Sequence, residues 1–205
     1  MKPNYLYFLL IFPLVSFAQS IEIGAGGGTG AFYFVEEADN SVFTAYDSPA
    51  SMYFDIKYSF EDKIEGIKLR VQSTSVNVVG EDYQTGIALD GLVQNLTWSL
   101  LYERLRSDKI FNIGYNAGLG HTVQTFDLQK NTTTPALVDR FMSITGGGIF
   151  TLRLHKDFRL RAETGLLWTD PINSFRGSEN WQTAGEDLSF LVQVGLSYRL
   201  FGKKD

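Results

Sequence analysis

The 205-residue sequence predicts an all-β fold, an eight-stranded antiparallel up-and-down transmembrane β-barrel. Three observations carry that expectation. Eight segments alternate apolar and polar side chains, the period of two that gives a strand one face in each of two environments. The connections alternate strictly between short and long, which gathers the tight turns at one end and the long loops at the other. The polar face is rich in Gly, Ser, Thr, Asn and Gln, small residues that a narrow barrel interior needs beside large ones.

The chain opens with MKPNYLYFLLIFPLVSFAQS, which carries one charge at Lys2, an apolar run from Tyr5 to Val15, and the small residues Ser16 and Ala18. That is the pattern of a secretory signal peptide cut after Ala18. The expected division is therefore a leader over 1–18 and a barrel domain over 19–205. Removing the leader with its one lysine takes the formal net charge from −5 to −6. The chain has no cysteine, so disulfides cannot staple an exported fold. Its acidic balance and the lack of a basic stretch argue against a nucleic-acid partner. Past the leader no apolar run is long enough for a membrane helix, which leaves strands as the spanning element.

The first strand is expected in IEIGAGGGTGAFYF, residues 21–34. In period two, Gly24, Gly26, Gly28 and Gly30 share the polar face of Glu22, and their missing side chains leave room for long Arg and Lys arms. The spacing gives neither G-x-G-x-x-G nor a Gly-Lys-Ser/Thr, so a phosphate loop is excluded. The second strand is the clearest: Met52, Phe54, Ile56, Tyr58 and Phe60 alternate with Asp55, Lys57 and Ser59. In the third, Ile67, Leu69 and Val71 oppose Lys68, Arg70 and Gln72, and the phase breaks near Ser73 to Val76, as a bulge would cause. The fourth sets Leu96, Trp98, Leu100 and Tyr102 against Thr97, Ser99 and Glu103. The fifth alternates Phe111, Ile113, Tyr115, Ala117 and Leu119 with Asn and Gly, and the sixth sets Phe150, Leu152 and Leu154 against Thr151 and Arg153. Just before it, Gly146 and Gly148 fall on the outer phase, read as close packing or strand bending, with partner docking as the alternative. The seventh carries Phe158, Leu160, Ala162, Thr164, Leu166 and Trp168 against Arg159, Arg161, Glu163 and Gly165. The eighth runs from Leu188 to Leu200, with Gln193, Gly195, Ser197 and Arg199 on its polar face.

Short connections are expected at Glu61 to Glu65, Ser107-Asp108 and Lys156-Asp157, and long ones at Val35 to Ala50, Val79 to Gly91, Asp127 to Arg140 and Thr169 to Asp187. Tyr58, Phe60, Tyr102, Phe111, Phe158 and Tyr198 cluster on the apolar face near the short turns, where an interfacial aromatic girdle belongs. The apolar face is therefore expected toward lipid and the polar face toward the lumen. A soluble periplasmic ligand-binding barrel, the alternative, would reverse the two.

The expected interior then holds Lys57, Lys68, Arg70, Arg153, Arg159, Arg161 and Arg199 with Glu22, Asp55, Glu103 and Glu163. Charges in a low-dielectric interior must pair, so these should form a salt-bridge network that fills the lumen. Eight strands enclose little more than room for side chains, which disfavours a general pore.

The whole mature chain resembles the small bacterial outer-membrane barrels of the OmpA/OmpX-like and PorT-like kind. The ending VGLSYRLF, with Tyr198, Leu200 and Phe201, is similar to the C-terminal insertion signal of that class, although Gly202-Lys203-Lys204-Asp205 follows the usual last aromatic. The resemblance implies an outer-membrane location and lipid as a partner, and it leaves the role open among adhesins, enzymes, anchors and subunits of complexes. Lipid A deacylases, barrels of this sort, carry His-x-Ser, but the residue two after His121 is Val123. The expectation is thus a structural or interaction protein without catalytic residues, with a lipid-active enzyme using His121 as the alternative. His155 is expected inward near a short turn. No metal spacing and no cofactor is read from the sequence. Other outer-membrane or periplasmic proteins are expected partners. The acidic long loops supply the candidate partner or cation contacts Glu36, Glu37, Asp39, Asp47, Glu81 and Asp82, and the longest loop adds Phe175 and Trp181.

Overall fold

The computed structural model describes residues 20–34, 42–60, 64–82, 88–107, 109–128, 137–171 and 187–202. Nine strands form in chain order: β1 Ser20–Phe34, β2 Val42–Tyr46, β3 Ala50–Ser59, β4 Glu65–Asp82, β5 Ala88–Leu105, β6 Phe111–Leu128, β7 Leu137–Arg153, β8 Phe158–Thr169 and β9 Asp187–Gly202. Every pairing is antiparallel, and the ring runs β3-β1-β9-β8-β7-β6-β5-β4 before β4 closes it on β3. β2 continues the line of β3 along the far end of β4, so the barrel has eight strands around its wall. Through the apolar belt the described wall strands are paired on both sides, which is the condition for a sheet in lipid.

The faces fall as the alternation predicts. Met52 is 73% exposed, Leu100 59% and Leu119 56%, whereas Lys68 is 0% exposed and Asp55 and Lys57 1% each. A soluble barrel has the opposite arrangement, so the alternative of a soluble ligand-binding protein fails on burial. The apolar outer face extends from Met52 to Phe60 along the second wall strand and from Phe158 to Trp168 on β8. A tilted strand needs about 9–11 residues to cross a bilayer, and these runs match it. At the short-turn edge the girdle packs as pairs: Tyr58 meets Phe60 edge-on at 6.0 Å, and Phe158 meets Tyr198 at 4.7 Å between ring centroids.

Two expectations are corrected. β4 has no phase break: its register with β5 is continuous from Glu65 to Glu81. The irregularity is in the neighbouring wall strand, where Asp47, Ser48 and Pro49 stand opposite only Val76 and Asn77, an extra residue that Pro49 tolerates because it has no N–H to pair. Asp47 holds the break in place, donating from its N–H to the Asn77 carbonyl at 3.1 Å and accepting from Asn77 Nδ2 at 3.2 Å. What changes at Val76 is the environment. Toward the long-loop end the interior becomes apolar, with Phe32, Val76, Val78 and Val93 forming one buried cluster. At the same level the outer face becomes polar at Ser73, Asn77, Gln94, Asp127 and Arg140, all exposed, with Val79 and Val138 as apolar exceptions. The barrel is inverted where lipid surrounds it and has ordinary soluble polarity beyond.

The second correction concerns the long connections. β4 and β5 form a ladder as far as Glu81 and Ala88, β6 pairs β7 as far as Phe126 and Leu137, and β2 lies within the first connection. Strand pairing therefore reaches well past the apolar belt on this side of the barrel.

Candidate functional site

The interior site is built from alternate residues on β3, β4, β5 and β8. Asp55 and Lys57 come from β3, Lys68 and Arg70 from β4, Glu103 from β5, and Arg161 and Glu163 from β8. All point inward because they share the lumen phase. Arg161 is one hub, reaching Glu103 at 2.6 Å, Glu163 at 2.8 Å and Asp55 at 3.9 Å. Lys68 is the other, pairing with Glu103 directly and lying 3.6 Å from Glu163 and 3.7 Å from Asp55. Arg70 links Asp55 at 2.7 Å to Glu163 at 2.8 Å, and Lys57 donates to Glu103 at 2.8 Å. With four cations around three carboxylates, each at most 7% exposed, every charge has an opposite partner in place of water.

The predicted interior residues are thus brought together in part. Glu22 and Arg199 lie apart from the central cluster, 3.7 Å from each other near the short turns. Arg153 and Arg159 also sit at that end, as direct cross-strand neighbours. Asp47 is exposed and tied to Asn77. Glu81 and Asp82 end β4, paired through their backbones with Phe43 and Val42. The predicted contacts Glu36, Glu37, Asp39, Phe175 and Trp181, and the leader over 1–18, lie outside the described residues. Tyr198 and Leu200 of the C-terminal signal face outward at 37% and 43% exposure, and the Phe201 backbone pairs with Ile21.

Tyr53 was missed by sequence reasoning, although it shares the phase of Asp55 and Lys57. Its ring, an aromatic on the polar face, lies under the Arg70 guanidinium at 4.0 Å from the centroid. Gly24 and Gly26 of β1 make room for Asp55 and this ring, and Gly28 and Gly30 lie against the β9 backbone, rather than all four leaving space for the Arg and Lys arms the spacing suggests. A Cβ on Gly24 would strike the Asp55 carboxylate, and one on Gly26 would lie 2.7 Å from the Tyr53 ring. A Cβ on Gly195, across from Gly26, would meet the Tyr53 hydroxyl and stand 2.5 Å from the Ala25 carbonyl oxygen. Gly195→Val is accordingly expected to destabilise the barrel by about 1–3 kcal/mol through overpacking, read as an earlier midpoint in urea unfolding from lipid vesicles.

Other polar side chains extend the network. Asn116 Nδ2 donates to Glu163 at 3.2 Å, Gln193 Nε2 to Ser51 at 2.7 Å, and Thr97 and Thr122 share a hydrogen bond of 2.8 Å. A cavity of about 20 Å³ remains beside Arg70, Gln72, Asn116, Glu163, Gly165 and Gln193. That is room for about one water. The packed interior is a brace across the barrel.

His121 faces outward on β6, opposite Trp98 and Met142. His155 is exposed in the turn between β7 and β8, which corrects its expected inward position. Among the described residues no group of three His, Cys, Asp or Glu side chains could hold a metal ion.

No protein-family profile matches the chain, and no curated protein matches it. Solved structures do share its shape. A major outer membrane protein from Thermus thermophilus aligns with a TM-score of 0.55 at 12% identity, covering 88% of this chain and 99% of that one. The attachment invasion locus protein of Yersinia pestis, in complex with the heparin analogue sucrose octasulfate, gives 0.52 at 13% identity over 88% and 97%. Neisserial surface protein A gives 0.52 at 10% identity over 87% and 95%. Identities this low speak to fold, and they bear on the OmpA/OmpX-like side of the expected resemblance, leaving the PorT-like side untouched. The chain thus has the fold of the small bacterial outer-membrane β-barrels, with an apolar outer girdle and an interior occupied by its own charges.

Proposed function

We propose that this barrel works through its ends, as a rigid outer-membrane scaffold that presents its long-loop side to another envelope protein or serves as a subunit of an outer-membrane complex. The observation that carries the reading is the lumen. Among the described residues it is filled by the Arg161 and Lys68 network, which leaves little room for a solute. The paired strands that rise past the apolar belt support it, because they hold a polar surface clear of lipid. The acidic loop residues fit a basic partner surface, or divalent cations bridging to lipid phosphates. The Yersinia neighbour was solved with a sulfated polyanion. Acidic loops suit the opposite charge, so that ligand class is not carried over.

Extraction of the native membrane in mild detergent, with a tag in a long loop, should give a heat-modifiable band that co-purifies with a second protein in fixed proportion. Recovery of the barrel alone, with lipid turnover that disappears in His121→Ala, would replace this reading by the enzyme alternative.

A further inference from the structure

We propose that the outer wall of β5, β6 and β7 near the short turns is a binding site for one anionic glycerophospholipid, its phosphate held by Arg104 and Arg106 and an acyl chain lying over Ala117, Gly146 and Gly148. Three observations meet there. The outer face of β5 runs Leu100, Tyr102, Arg104, Arg106, so it turns from apolar to cationic within one strand. Successive outward positions are about 7 Å apart, close enough for two guanidiniums to share one phosphate. On β6 the face beside them stays apolar. Arg104 is the cross-strand partner of Tyr115, and the Arg106 N–H donates to the Ile113 carbonyl at 2.8 Å. Ile113 is 40% exposed and Phe111, nearer the turn, 63%. The two cations therefore stand where the apolar belt meets the headgroup layer.

The second observation is that Arg104 is held in place and still open to its surroundings. Its Nε pairs with Glu65 Oε1 at 3.2 Å, it hydrogen-bonds the Tyr115 side chain, and Tyr102 hydrogen-bonds Glu65. The Tyr102 and Tyr115 rings lie beside it, 6.4 Å apart between centroids. Its side chain is nonetheless 56% exposed, and a guanidinium carries five N–H donors, more than these two partners use. The donors left over suit phosphate oxygens, which the planar fork engages two at a time.

The third observation concerns space. Gly146 and Gly148 lie on the outer face of β7, opposite Ala117 and Tyr115 of β6. A Cβ on the inward Gly147 between them would clash with the Thr164 carbonyl oxygen, whereas one on Gly146 or Gly148 would meet nothing nearer than 3.4 Å. Packing within the barrel does not demand glycine at these two positions. With Ala117 they leave a shallow apolar trough, and Ala117 stands diagonal to Arg104 across the β5–β6 pair. A phosphate at Arg104 thus puts the lipid's first carbons over Ala117 and its chain along the trough. Exposed Ile113 and Phe111 beside the cations favour a ligand with an apolar tail over a soluble anion. Short turns face the periplasm, so the lipid comes from the inner leaflet. This inference does not depend on which partner the long loops meet.

The test is native mass spectrometry of the full barrel, released from neutral detergent after equilibration with phosphatidylglycerol or with phosphatidylcholine of the same chains. One phosphatidylglycerol is expected to stay bound, with at least tenfold preference over phosphatidylcholine. Arg104→Gln combined with Arg106→Gln should weaken its retention at least tenfold. Gly148→Leu should weaken it too, by filling the trough without touching a charge. Lys156→Gln, at an exposed cation of the β7–β8 turn, should change nothing. If the double variant gives no heat-modifiable barrel, Arg106→Gln decides alone, because its side chain is exposed at the end of β5. Equal retention of the two lipids, or unchanged retention in the arginine variants, overturns the proposal. An equal loss in Lys156→Gln overturns it in favour of diffuse attraction, and displacement by glycerol phosphate at equal concentration overturns the lipid in favour of a soluble phosphate.

Discussion

Arg161→Met is expected to cost the barrel about 3–5 kcal/mol, the range for removing one partner of a buried ion pair. The substitution keeps length and apolar bulk but leaves Glu103, Glu163 and Asp55 with Lys68 as the one remaining cation that reaches all three. Urea unfolding from lipid vesicles would read the loss directly. Arg104→Met is the control. Arg104 pairs with Glu65 at 3.2 Å, but its side chain is 56% exposed, and surface pairs are worth about 1 kcal/mol or less. Adding Glu103→Gln to Arg161→Met should recover part of the loss, because the double change removes a charge together with its partner. A loss for Arg161→Met as small as the control's would mean that water reaches the interior and that the network braces nothing.

Leu100→Arg is expected to cost about 2–4 kcal/mol in a bilayer, the depth-dependent penalty for a cation on the lipid face near mid-membrane. Leu100 is 59% exposed in the middle of β5, between Trp98 and Tyr102. On a soluble protein an exposed leucine replaced by arginine changes stability by about 0.5 kcal/mol or less. The two settings therefore differ by a wide margin at one residue. The comparison with Gln94→Arg, beyond the apolar belt on an exposed polar position, should show almost no effect. Equal, small effects at both positions would sink the membrane orientation.

The inner and outer faces were legible in the sequence because alternation is a local property: neighbouring side chains on a strand point to opposite sides whatever the rest of the chain does. Asp55, Lys57, Lys68, Arg70, Glu103, Arg161 and Glu163 all have the inward phase of their strands for that reason. The same reasoning failed where its premise changed. At Val76, Val78 and Val93 the inward positions are apolar because that part of the wall has left the lipid, and a uniform polarity rule reads the reversal as a slip in β4. Tyr53 was missed for a related reason, since an aromatic on the polar face looks like an exception until Arg70 is seen stacked on it.

By itself, the sequence determined the strand number, the short and long ends, the girdle and the set of charges that must be inside. Only the tertiary structure decided which charges meet. Arg70 and Glu163 are separated by 93 residues, and Lys57 and Glu103 by 46. Such contacts depend on register and on barrel closure, which set the height of each inward side chain and which strands face one another across the lumen. Closure thus separates the central brace on β3, β4, β5 and β8 from the Glu22–Arg199 pair near the short turns.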